Sequence, residues 1–152
     1  MKSKGLDYRY SVLSLSGKYF GVEVFKVKEV LNMPRISKIP NAHQSILGVF
    51  NLRGQIYTLI DIRYFLNLEV RPVSEKDYVV ILEEDGSSFG IIVDKVIDVV
   101  TLDSNKIQIP TREISVQFVQ YLEGIYQLDM GTLYLLDIPS ILNAGELRTY
   151  RY

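Results

Sequence analysis

A chain of 152 residues has the length of one domain, or of two small lobes that share a core. It carries 17 lysines and arginines against 18 aspartates and glutamates, for a net charge of −1, which argues against a nucleic-acid partner, since that would call for a clustered basic surface. One histidine and no cysteine remove disulfides, thiolate metal sites and thiol nucleophiles, and apolar runs such as YVVIL fall far below the roughly 18 residues of a membrane span, so no membrane insertion is expected.

In chain order, residues 1–7 read as a tail without the continuous apolar core of a secretory leader. Tyr8 to Ser16 and Tyr19 to Val24 flank Gly17-Lys18 as a hairpin does. VFKVKEVL suits a strand or a single helical turn, and the loop from Asn32 to Ser45 holds Pro34 and Pro40, which exclude a regular helix and central-strand pairing. Ile46 to Leu52 and Gln55 to Ile60 form a second hairpin about Arg53-Gly54, followed in DIRYFLNL by helical spacing with Asp61 as N-cap. The polar, proline-bearing EVRPVSEKD joins this to a further hairpin, Tyr78 to Glu83 and Phe89 to Val93. The segment TLDSNKIQIPTREISVQF is a long variable loop; strands Tyr121 to Leu128 and Thr132 to Leu136 then lead into DIPSIL, where Pro139 is tolerated in a first helical turn.

Two collinear echoes organise these elements. GVFNLRGQIYTLIDIRYFL (Gly48 to Leu66) returns as GIYQLDMGTLYLLDIPSIL (Gly124 to Leu142) at an offset of 76, and FGVEVFKVKEV (Phe20 to Val30) returns as FGIIVDKVIDV (Phe89 to Val99) at an offset of 69. The chain therefore reads as a duplication, with halves near 8–70 and 76–147 inside a single domain of 8–147. A period near 70 is too long for a solenoid, and many short strands with frequent turns predict a mainly β fold of two small barrels with short capping helices.

Catalytic chemistry is hard to find. The lone His43 reads as a solvated loop residue, Ser87 and Ser88 as turn residues, and the glycines as punctuation without a phosphate-cradling pattern. No metal or other cofactor is expected, and a protein-binding module is the default. A charge pattern stands out: Arg53 lies in a stretch expected to be half-buried, which calls for an acidic partner, and Glu29 follows an apolar strand. The repeat replaces these two by Asp98 and Asp129, so an opposite-charge pair is possible in one copy alone; the alternative is a surface arginine in a hairpin turn.

The segments YFGVEVFKVKEVL, GVFNLRGQIYTLIDIR and FGIIVDKVIDVVTL resemble the CheW family of bacterial chemotaxis adaptors, over nearly the whole chain. The resemblance implies two intertwined five-stranded SH3-like barrels and a cytoplasmic, non-enzymatic adaptor of a two-component system. It would couple the cytoplasmic hairpin tip of a methyl-accepting chemoreceptor to the regulatory domain of the histidine kinase CheA. It places receptor-contacting or structurally paired positions at Val27, Glu29, Gly48 and Arg53, with Val79, Gly90 and Val96 on the second barrel's side of a groove. Part of the kinase-facing surface falls on the loop with Met33, Arg35, Ile36 and Lys38. The chain departs from the family pattern at Thr58, where proline is common, and at Tyr78, where a smaller β-branched residue is common; an adaptor of a pilus-type array is the variant reading. A small-molecule-sensing barrel is the rival from another class.

Overall fold

A computed structural model describes residues 8–110 and 115–144; the 1–7 tail, part of the variable loop and the end of the 8–147 domain lie outside the described residues. Among the described residues ten strands are observed: β1 Arg9–Leu15, β2 Lys18–Glu23, β3 Val27–Asn32, β4 Ile46–Leu52, β5 Gln55–Ile60, β6 Tyr78–Glu84, β7 Ser87–Val93, β8 Lys95–Thr101, β9 Leu122–Leu128 and β10 Gly131–Leu136. Two short helices, α1 Val116–Val119 and α2 Ile138–Leu142, complete the regular structure together with three 3-10 turns.

Three of the hairpins share one device. Ser16-Gly17, Arg53-Gly54 and Asp85-Gly86 each place two successive residues at positive φ, between 50° and 85°. This is the two-residue turn whose twist matches that of the strands it joins, and glycine at its second position relieves the strain. The hairpin joining β9 to β10 differs, because there the positive φ falls on Gly131 and not on Asp129 or Met130.

The strands form two five-stranded sheets, in the orders β8-β1-β2-β10-β9 and β3-β6-β7-β5-β4. Under the repeat, β1 to β5 correspond to β6 to β10, and this exchange converts one order into the other. Each sheet thus takes a hairpin from one half and three strands from the other, so the halves are intertwined. Neither sheet closes by a continuous ladder. In each, the loop leaving a free edge makes a single bridge to the opposite edge: Ser37 exchanges 2.8 Å hydrogen bonds with Val49, and Gln108 pairs with Ile125 at 2.8 and 2.9 Å.

Strand alternation distributes the core over three clusters. Val79, Ile81 and Ile92 point into the second sheet with Phe50, Tyr57 and Leu59, whereas Val80, Leu82, Ile91 and Val93 point the other way, into a larger cluster with Leu13, Leu15, Phe20 and Val22 of the first sheet. Tyr10, Val12, Leu133 and Leu135 fill the first sheet's own interior. Burial on both faces explains why YVVIL and IIV are continuously apolar instead of alternating. Gly21 and Gly90, equivalent under the repeat, both make room inside a barrel: a Cβ would stand 2.9 Å from Leu135 and from Val79, respectively.

Of the expected capping helices, α2 forms as read, with Asp137 accepting the Ser140 N–H at 3.1 Å and proline in the first turn. The helix expected after Asp61 is only a 3-10 turn, Ile62–Tyr64, because Asn67 enters the left-handed region (φ 55°) and reverses the chain. Thr58, on β5, is 3% exposed, and its hydroxyl has no partner among the described residues. Thr58→Val is therefore expected to stabilise the protein by about 1 kcal/mol, removing an unsatisfied buried hydroxyl at nearly constant volume. A thermal melt should rise by roughly 2–4 °C; a fall would show that the hydroxyl is satisfied in solution.

Candidate functional site

The unpaired sheet edges β3 and β8 leave apolar side chains uncovered. Val30 on β3 is 42% exposed, and Val96 and Val99 on β8 are 38% and 52% exposed. The C-terminal half of β3 and the start of β8 face each other across a groove between the two sheets, walled by Val30, Asn32 and Tyr78 on one side and Lys95 and Val96 on the other. Paired apolar edges of this kind, rimmed by charge, are a protein-docking geometry.

In the middle of β3, Glu29 Oε1 accepts from Arg53 Nη2. Both alternatives for Arg53 hold at once: it is the first residue of the β4–β5 turn, and it is paired. The expectation that it is half-buried is corrected, since its side chain is 70% exposed. A two-residue hairpin turn projects its first residue beyond the sheet, so apolar neighbours in sequence do not enclose it. In the other copy Asp98, equivalent to Glu29, instead accepts the Val99 N–H at 2.7 Å.

The remaining expected positions separate by depth. Val27 is half-buried against the inter-sheet core. Gly48, with φ 145°, lies beneath the Ser37 bridge, where a Cβ would stand 2.3 Å from the Ser37 carbonyl oxygen. Val79 and Gly90 correct the groove assignment: Val79 is fully buried, and a Cβ on Gly90 would meet it at 2.9 Å, so both shape the barrel from within and present nothing to a partner. Met33 and Ile36 are half-buried against the same core, while Arg35 and Lys38 on their loop are exposed. His43 is half-buried rather than solvated: its Nδ1 accepts the Ser45 N–H at 3.1 Å and meets Ser45 Oγ at 2.7 Å.

Two polar features were missed in the sequence. Asp61 and Arg63 form a two-point ion pair (Nε to Oδ1 2.8 Å, Nη2 to Oδ2 2.6 Å), with both side chains 1% exposed. Arg71, in the segment joining the halves, binds Asp77 and Asp94. Burial pushes the Asp77 carboxyl up, but the Arg71 guanidinium and the Ser74 amide outweigh it and hold Asp77 below the usual carboxylate range. No helix of the described residues is long and apolar enough to cross a membrane. None of their His, Asp and Glu side chains gather in a group of three able to hold a metal ion.

The CheW-like domain family matches residues 9–146. The chain is 31% identical over 139 residues to a chemotaxis protein CheW of Klebsiella aerogenes, covering 91% of this chain and 83% of that one. It is 27% identical over 146 residues to a CheW of Treponema pallidum, covering 93% and 86%. Among solved structures, the scaffolding protein TtCheW from Thermoanaerobacter tengcongensis superposes with a TM-score of 0.82 at 27% identity, covering 96% of this chain and 94% of that one.

Proposed function

We propose, for a chain that belongs to the CheW-like domain family, a non-enzymatic cytoplasmic adaptor that joins the hairpin tip of a chemoreceptor to the regulatory domain of the histidine kinase CheA. The observation that carries this reading is the pair of free sheet edges, β3 and β8, presenting Val30 and Val96 to one groove beside Tyr78 of β6. The receptor tip occupies this groove, with Val27, Glu29 and Arg53 at its outer end. The kinase domain meets the loop of Met33 to Lys38, where Arg35 and Lys38 are exposed beside a half-buried Ile36. Gly48, Val79 and Gly90 serve the site by shaping the barrel behind it. Residues 8–147 act as one unit, because strand exchange leaves neither half a sheet of its own. Weak contacts suffice for an adaptor repeated across an array, where effective concentration multiplies each one.

Calorimetry of the purified chain against a receptor tip hairpin and, separately, against the kinase regulatory domain tests the reading; binding of neither would refute it. Within this scheme the exposed Glu29–Arg53 pair contributes no more than about 1 kcal/mol to stability. Arg53→Ala should therefore move the melting temperature by under about 4 °C and weaken receptor binding by roughly tenfold. A charge swap, Glu29→Arg with Arg53→Glu, should restore the melt but not the binding. Unchanged affinity in Arg53→Ala would remove this residue from the contact surface.

A further inference from the structure

The segment joining the two halves is tied into the groove by one side chain. Arg71 donates from Nη1 and Nη2 to the two carboxylate oxygens of Asp77, at 3.1 and 2.6 Å, and from Nη2 again to Asp94 Oδ1 at 2.6 Å. Asp77 immediately precedes β6 and is 3% exposed. Asp94 is the single residue between β7 and β8, where the chain leaves the second sheet for the first. Its Oδ2 accepts the Ser16 N–H at 3.0 Å, and its own N–H donates to the Ser14 carbonyl at 2.9 Å, both on the first hairpin of the first sheet. The Arg71 carbonyl in turn accepts from the buried Arg63 at 3.0 Å, which anchors the segment's backbone.

One guanidinium therefore links the start of β6 in one sheet to the hairpin of the other through the crossover residue. An isolated surface ion pair on a connecting segment would contribute little. Here the fork is two-pointed on a buried carboxylate and shared with a second one, the arrangement in which arginine fixes geometry as well as charge. The residues next along the chain are Tyr78 and Lys95, which stand on opposite walls of the groove. The first crossover, Val24–Lys26, is tied differently, by the 2.6 Å contact of Lys26 with Glu84.

We propose that Arg71 is a positioning residue for partner binding: its fork holds the β7–β8 crossover and so sets the separation of the β3 and β8 lips of the groove. The functional arm of this proposal rests on the receptor reading above; the structural arm does not. Because the chain has no cysteine, Asn32→Cys with Lys95→Cys labels the two lips uniquely for spin-label distance measurement. The parent should give one narrow distance distribution, Arg71→Gln a broad one, and Arg71→Lys an intermediate one. Amide exchange at Ser16 and Asp94 should rise about tenfold in Arg71→Gln, with Gln108 and Ile125 unchanged. The unlabelled Arg71→Gln chain should bind the receptor hairpin about tenfold more weakly while its binding to the kinase domain holds. An unchanged distance distribution overturns the proposal, and so does a broadened one with unchanged receptor affinity. If the parent itself fails to bind the hairpin, the receptor reading falls, and the label distances alone decide whether Arg71 sets the groove.

Discussion

Arg63→Met is expected to destabilise the protein by about 3–5 kcal/mol, the largest loss of any single polar substitution considered, because it strands the Asp61 carboxylate in the core. Asp61 Oδ1 accepts from both Nε and the backbone N–H of Arg63, at 2.8 and 3.1 Å, and Oδ2 accepts from Nη2 at 2.6 Å. Neither residue has more than 1% of its side chain exposed, so water cannot replace the lost partners. Chemical denaturation should show the loss as a lower midpoint at unchanged slope, and the melt should fall by roughly 10 °C. The double variant Asp61→Asn with Arg63→Met should recover a substantial part, since it leaves no buried charge and the asparagine can still cap the 3-10 turn. A midpoint for Arg63→Met equal to that of the parent would mean that the pair is solvated in solution.

Gly48→Ala is expected to cost about 3 kcal/mol, combining backbone strain at φ 145° with a collision against main chain. The new Cβ would meet the Ser37 carbonyl oxygen at 2.3 Å and Ile36 Cγ2 at 2.6 Å. The Ser37–Val49 bridge must open to admit it, and the loop bearing Arg35 and Lys38 would then detach from the barrel. Kinase binding should fall with it. Gly124 is the same position in the other copy, beneath Ile107 and the Gln108 bridge, but there a Cβ meets the Ile107 side chain at 2.7 Å and the Gln108 oxygen only at 3.4 Å. A rotamer change can absorb that contact, so Gly124→Ala should be the milder variant. Exchange rates at Ser37 and Val49, compared with Gln108 and Ile125, test the ranking; equal melts for the two variants would contradict it.

These glycines show what was legible in the sequence and what was not. Hairpins are readable because turn chemistry is local, although the first turn falls on Ser16-Gly17, one residue before the expected Gly17-Lys18, since Lys18 already belongs to β2. The duplication was readable from two constant offsets. Arg53 is exposed despite its apolar flanks, because neighbours in sequence are not neighbours in space at the tip of a hairpin. The family motif places Val79 and Gly90 on a surface, whereas strand alternation turns them inward. Arg63 gave no local signal, since burial of a charge depends on a partner's geometry, and α1 went unread inside a loop whose length hid it. The segment EVRPVSEKD, read as a polar joint, holds Arg71 and Asp77, and their meeting with Asp94 depends on the path of the chain between the sheets.

The exchange of strands between the sheets also dictates an order of assembly. Every strand of the second sheet lies between Val27 and Val93, so that sheet can be completed while the rest of the chain is still being synthesised. The first sheet is built from the two ends: Leu133 pairs in parallel with Tyr19, 114 positions away. The hairpin of β1 and β2 must therefore wait, with the outer edge of β2 and the face bearing Tyr10 and Val12 uncovered, until β9 and β10 have left the ribosome. Contacts of such sequence separation form slowly, and the interval before they form is when a chain is most exposed to aggregation. A nested topology confines that hazard to one hairpin by letting the inner sheet fold first and serve as the surface on which the outer one closes.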